Sequence, residues 1–267
     1  GEVEQTLTSP VGFSVVGLLA HDRCIYVTDV NLHRVQRFSG NGTFEFALGT
    51  FGSGAAQFAF PQGVAIDQTS GNVFVADTNN HRISVLNANL FPLDRFGVPG
   101  SAPGEFNAPE GIATDGNRNV VVADTGNNRI QILDRDGRLI REFGSAGSGN
   151  GQFNRPVSVD VADNGDIVVV DQGNNRYQRF SSQGQFLEAV GRKGSAVGEF
   201  DAPFGIEISS SGEILITDTG NDRFQVFSRA RLESEERAGS GDAKASSKEP
   251  KAQSRRRKRQ SNKRSGH

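Results

Sequence analysis

Methionine and tryptophan are absent from the 267 residues, and cysteine occurs once, as Cys24. One cysteine excludes an internal disulfide and favours a reducing, cytoplasmic setting. The four histidines (His21, His33, His81, His267) are too few and too scattered for a zinc constellation, so no metal or cofactor is expected. No apolar run approaches membrane-spanning length and no secretory signal opens the chain, so no membrane contact is expected. A chain that begins with Gly and holds no Met reads as a piece of a longer protein.

What the chain does hold is one short pattern five times over. An Asp is followed five residues later by Arg at Asp29/Arg34, Asp77/Arg82, Asp124/Arg129, Asp171/Arg176 and Asp218/Arg223. The Asp positions are 48, 47, 47 and 47 residues apart. A period in the forties is the length of one small four-stranded sheet, so the chain reads as an array of such units. Features common to every copy are expected to build the fold. Function belongs where the copies differ.

A proline opens each copy (Pro10, Pro61, Pro109, Pro156, Pro203) at the first residue of a short inner strand, where no ladder donor is lost. A turn and a β-branched run follow, such as Val120-Val121-Val122-Ala123, suited to a strand covered on both faces. After the Asp-to-Arg loop come third strands near 35–38, 83–86, 130–133, 177–180 and 224–227, then a fourth such as 139–143. Gly and Asn in the loop accept left-handed backbone angles, while Arg offers a planar fork of donors to the Asp. If such a pair is buried between sheets, losing one partner costs about 3–5 kcal/mol because the other charge is stranded. Five-fold repetition assigns these pairs to scaffolding.

Four strands per unit without helical periodicity predict an all-β protein, a β-propeller occupying 1–228. Its blades fall near 10–57, 58–105, 106–152, 153–199 and 200–228, with residues 1–9 as a closing strand. Residues 229–267 form a basic tail almost without apolar side chains, and are expected to be disordered. The overall charge of −2 conceals a contrast. The repeat region holds 16 Lys+Arg against 26 Asp+Glu, a formal −10, and the tail 13 against 5, a formal +8.

The elements Phe-x-x-Pro-x-Gly-Val, Val-x-Ala-Asp-Thr-Gly-Asn-x-Arg-Ile-Gln-Ile and Phe-Gly-Ser-x-Gly resemble the NHL repeat over about 1–228, most closely in copies two to five. The resemblance implies a module like the propeller at the C-terminal end of tripartite-motif proteins, behind RING, B-box and coiled-coil segments. It also implies six blades where five are visible. Either five close directly or one lies upstream of Gly1, and the latter is expected. The family's amidating lyase needs a metal constellation that four scattered histidines do not offer, so no enzyme is expected in this chain. Ubiquitin-ligase activity would reside in an upstream RING domain.

The connectors entering each inner strand share one propeller face, here called the top, with the Asp-to-Arg loops. Variable residues there nominate a partner site: Phe60, Gln62, His81, Arg155, Arg192, Lys193 and Phe204. Aromatic and cationic side chains on one rim suit a protein client, and equally suit unpaired bases with their phosphates. Glu105, Glu110, Glu199, Asp201 and Asp222 on or near the same rim weaken the RNA reading, because such affinity depends on phosphate neutralisation. The main expectation is a non-catalytic module that selects a protein client. RNA binding in post-transcriptional regulation is the alternative. In the tail, Arg255, Arg256, Arg257, Lys258 and Arg259 resemble a nuclear-import signal or nucleic-acid patch. Asp67 and Asp115, at the ends of inner strands, read as turn caps, and Cys24 as a small buried hydrophobe.

Overall fold

The computed structural model describes residues 15–21 and 24–228. The expected closing strand at 1–9 and the tail at 229–267, with its basic run 255–259, lie outside the described residues.

The strands form five separate antiparallel sheets in strict chain order. The first contains β1 (Val15–His21), β2 (Cys24–Asp29), β3 (Arg34–Ser39) and β4 (Phe44–Leu48). The second contains β5 (Pro61–Ile66), β6 (Val73–Asp77), β7 (Arg82–Leu86) and β8 (Pro92–Phe96). The third contains β9 (Ile112–Thr114), β10 (Val120–Asp124), β11 (Arg129–Leu133) and β12 (Leu139–Phe143). The fourth contains β13 (Pro156–Val161), β14 (Ile167–Asp171), β15 (Arg176–Phe180) and β16 (Phe186–Val190). Among the described residues the fifth has three strands, β17 (Pro203–Ile208), β18 (Ile214–Asp218) and β19 (Arg223–Phe227). The inner strands β1, β5, β9, β13 and β17 pack in succession, each on the next, which is the arrangement of a β-propeller.

The second strands are rich in β-branched residues, and in blades two to four both their faces are covered. Val120, Val121 and Val122 are buried, one face packing toward the preceding blade and the other toward the next. Each joint also receives a connector phenylalanine (Phe58, Phe106, Phe153 or Phe200), and none of the four is exposed at all. Burying such a ring stabilises by roughly 1.5–3 kcal/mol. On the far side of the fifth blade the apolar face is open. Phe224 is 67% exposed, whereas its counterparts Ile83, Ile130 and Tyr177 are buried.

Close packing at the axis explains the recurring Pro-x-Gly. The Gly63 N–H donates to Glu110 O at 2.9 Å, and a Cβ on Gly63 would stand 2.5 Å from that same oxygen. A Cβ on Gly111 would stand 2.6 Å from Ser158 Cα. At Gly63 and Gly111 only glycine permits this approach, whereas blade four has Ser158 at the same position and Gly205 faces Thr217 of its own blade.

One local expectation needs correction. The loop glycines Gly126, Gly173 and Gly220 do not carry the left-handed angle. That conformation falls two residues later, at Asn128, Asn175 and Asp222, and likewise at His33 and His81, all with φ between 50° and 53°. Gly126 is small because the preceding connector lies against it: a Cβ there would stand 2.6 Å from Asn107 O. Where the connector residue is instead Ala59, the loop accepts Asn79, whose N–H donates to Ala59 O at 2.9 Å.

Candidate functional site

The five Asp–Arg pairs sit where each loop meets a connector. Arg Nε lies 3.2, 2.7, 2.8, 2.8 and 2.7 Å from the Asp carboxylate in blades one to five. Every one of these Asp residues is fully buried. In the third blade Asp124 also accepts the Asn107 N–H at 2.7 Å, Asn127 Nδ2 at 2.9 Å and Gln131 Nε2 at 3.0 Å. Arg129 then reaches the carbonyls of Ala102 and Glu105, both at 2.9 Å, so the pair pins the connector to its blade. At Asp218, burial raises the pKa, but the Asp201 N–H, Asn221 and Arg223 outweigh it and hold the carboxyl below its ordinary value.

The residue after each loop ties one blade to the next. His33 Nδ1 and His81 Nδ1 accept the N–H of Phe60 and Ala108 at 3.1 and 3.0 Å. Asn128 and Asn175 do the same through Oδ1, for Arg155 at 2.8 Å and Ala202 at 3.0 Å. His and Asn are equivalent here: each offers one acceptor from a left-handed backbone. His81, nominated from sequence for partner contact, thus commits its Nδ1 to the scaffold. Phe60, Ala108, Arg155 and Ala202 are themselves left-handed, with φ from 46° to 57°. The loops and connectors are thereby fastened to each other on one face.

The nominated cations on that face meet acids. Arg155 Nη2 lies 3.3 Å from Glu110 Oε1, and its Nη1 donates to Gln172 Oε1 at 2.6 Å. Arg192 lies 2.7 Å from Glu199, and its hydrogen bond holds that carboxyl below the usual range. Lys193 Nζ lies 3.8 Å from Asp201. Gln62 and Phe204, by contrast, line the axial cavity, together with Glu110 and Val157.

Sequence reasoning missed two groupings. The first is an exposed aromatic patch at the joint between blades one and two. The His33 ring lies 4.9 Å from Phe51 and 4.6 Å from Phe60 between centroids, with Leu32 beside it in the chain. Phe51 is 65% exposed, Leu32 42% and Phe60 40%. The repeat carries the signal. Leu32 stands where copies two to five have Asn, Phe51 where copies three to five have Pro99, Ala146 and Lys193, and Phe60 where they have Ala108, Arg155 and Ala202.

The second grouping lines the axis. Asp160 and Glu207 occupy the inner-strand position held by Ala65 and Ala113 in blades two and three. Asp160 accepts the N–H of Ile208 at 2.7 Å and that of Val161 at 2.8 Å. Burial pushes its pKa up to about 7, and the like charge of Glu207 adds to the shift. Asp67 and Asp115, also near the axis, do cap turns: Asp67 accepts the Thr69 N–H at 2.9 Å, and Asp115 the N–H groups of Asn117 and Asn119 at 2.9 and 2.8 Å. Cys24 is partly buried, with its Sγ 2.9 Å from Arg37 Nη2.

These features define a five-bladed β-propeller whose blades are locked by repeated ion pairs. The NHL repeat model matches three of the five repeats, at residues 58–86, 106–133 and 153–180. Among curated proteins no sequence matches the chain. Among solved structures it is similar to streptogramin B lyase, with 14% identity, a TM-score of 0.64, and coverage of 84% of this chain and 69% of that one. A chain of the nidogen/laminin complex gives 18% identity and a TM-score of 0.57, covering 82% and 81%. The WD40 propeller domain of Doa1 gives 13% and 0.60, covering 80% and 64%. At such identities the likeness is one of fold.

Proposed function

We propose that this propeller is a non-catalytic recognition module that binds a protein partner through its top face. The observation that carries the reading is the Leu32–Phe51–Phe60 patch. It breaks the repeat at three positions of one joint and exposes aromatic surface that the scaffold does not use. Exposed aromatic anchors beside a polar rim suit a protein interface.

In a tripartite-motif-like parent the propeller would choose the client, and an upstream RING domain would transfer ubiquitin to it, in the cytoplasm. The RNA alternative draws less support, because Arg155, Arg192 and Lys193 each face a carboxylate on the rim. The basic tail at Arg255–Arg259 would supply a separate contact to nucleic acid or an import receptor.

The test is affinity capture with the full chain, followed by binding of the captured protein in purified form. A protein client should persist through RNase treatment, rebind as a purified component, and be lost with Phe51→Ser/Phe60→Ser at unchanged melting temperature. Capture that disappears with RNase, or that survives the double substitution, would overturn the reading.

A further inference from the structure

The axial cavity, about 350 Å³ in volume, is charged with one sign. Glu110, Asp160, Asp163 and Glu207 all line it, and among the described residues none of its lining side chains is Lys, Arg or His. Two of these carboxylates replace the alanines of blades two and three, so the charge is not a by-product of the repeat.

Glu110 is the sharpest feature. Its side chain is only 8% exposed, Arg155 reaches Oε1 from the rim, and Oε2 has no hydrogen-bond partner among the described residues. An orphaned buried carboxylate oxygen carries its full desolvation cost until a donor reaches it. Burial accordingly raises the pKa of Glu110 against the opposing pull of Arg155. Val157 and Phe204 line the same cavity and offer apolar surface for an alkyl stem.

A metal ion fits poorly. Among the described residues no three His, Cys, Asp or Glu side chains converge closely enough to hold one. A hard cation such as calcium takes six or more oxygen ligands at short range. Carboxylates spread along a cavity that also holds apolar side chains suit instead a charge carried on a chain.

We infer that the axial cavity is a binding site for an alkylammonium or alkylguanidinium group, with Glu110 Oε2 as its principal acceptor and Glu207 as a second anion. Such a group comes either from a Lys or Arg side chain of a protein partner or from a free small amine. The site is separate from the aromatic patch, so either reading can fail while the other stands. Arg155 competes with the incoming cation for Glu110.

The probes are butylammonium, butylguanidinium, neutral butanol and a short capped peptide containing one lysine. Each is titrated into the full chain while the amide resonances of Gly111 and Gly205 are followed. Both cations should shift these resonances and butanol should not. Glu110→Gln should weaken the cations at least tenfold, and Arg155→Ala should tighten them. If Glu110→Gln fails to fold, Glu207→Gln, at an exposed position, should weaken binding by severalfold. Tighter binding of the peptide than of butylammonium would identify a side chain as the source, and the reverse order a free amine. The inference is overturned if the cations do not bind, if butanol binds equally, if Arg155→Ala weakens the cations, or if calcium at micromolar concentration displaces them.

Discussion

Arg155 Nη2 reaches Glu110 Oε1 at 3.3 Å, joining a half-exposed guanidinium to a buried carboxylate at the axis. The contact turns toward the axis a cation that the sequence nominates for gripping phosphate. The nucleic-acid contact proposed for the tail rests on its 13 basic residues, which include the run 255–259.

RNA affinity of the full chain should therefore follow the tail. Replacing Arg255, Arg256, Arg257, Lys258 and Arg259 by serine is expected to reduce the slope of log affinity against log salt by several units. Arg155→Ala should leave that slope unchanged. A filter-binding series from about 50 to 200 mM salt reads both. A slope that falls with Arg155→Ala would return the rim to nucleic-acid recognition.

The repeated ion pairs should differ in their contribution to stability. Asp124→Ala removes the shared acceptor of Arg129 Nε, Asn127, Gln131 and the Asn107 N–H, while Arg129 Nη1 keeps Glu142 at 2.8 Å, and is expected to cost about 3–5 kcal/mol. Asp29 accepts from Leu32 and Arg34, and the Arg34 side chain is 21% exposed, so Asp29→Ala should cost roughly 1–3 kcal/mol. Urea denaturation of the two variants gives the order directly. Equal losses would contradict the role assigned to the connector contacts.

Stability should also fall as pH rises through the weakly acidic range. The folded pKa of Asp160, about 7, lies above its ordinary 3.8, so the native state binds the extra proton between those values. The contribution is full below about pH 4 and is lost as pH climbs toward 7, on the order of a few kcal/mol. Glu207 faces Asp160 with like charge, while the N–H groups of Ile208 and Val161 hold its oxygens and oppose the shift. Asp218, with its lowered pKa, acts with the opposite sign: its contribution is present above the ordinary carboxylate value and is lost as acid protonates it. Urea midpoints at pH 4.5 and about pH 7 should therefore differ less in Asp160→Ala than in the unaltered chain. Equal pH slopes would remove Asp160 as the cause.

At the joints, Ala108 is left-handed with φ 46°, and Ala108→Gly is expected to stabilise by up to about 1 kcal/mol. His81→Asn should be nearly neutral, because Asn128 and Asn175 make the same bond in the following blades. His81→Leu should cost about 1–2 kcal/mol through the unsatisfied Ala108 N–H and the strained backbone. Thermal melts of the three variants suffice. A stable His81→Leu would show that the joint does not depend on this bond.

Much of the fold was legible because repetition reports backbone demands directly. The Asp spacing and the β-branched runs mark the strands, and β5, β13 and β17 begin at the expected Pro, but β9 begins at Ile112, three residues after Pro109, and Pro10 lies outside the described residues. The glycines were harder to read. Gly126 is set by the nearness of Asn107, a contact between chain segments 19 residues apart, and not by its own torsion angles.

The site divides in the same way. By itself the sequence determined the number of repeats, the strand order within each blade and the pairing of Asp with Arg, since these follow from local periodicity and from chemistry repeated in every copy. Only the tertiary structure decided which exceptional residues become neighbours. It set Phe51, Phe60 and His33 in one patch, and it brought Glu110, Asp160 and Glu207 to one channel from three different blades. The reason is geometric: residues about 47 positions apart meet only after successive blades have packed side by side around the axis, and burial there, not proximity in the chain, sets the state of their charges.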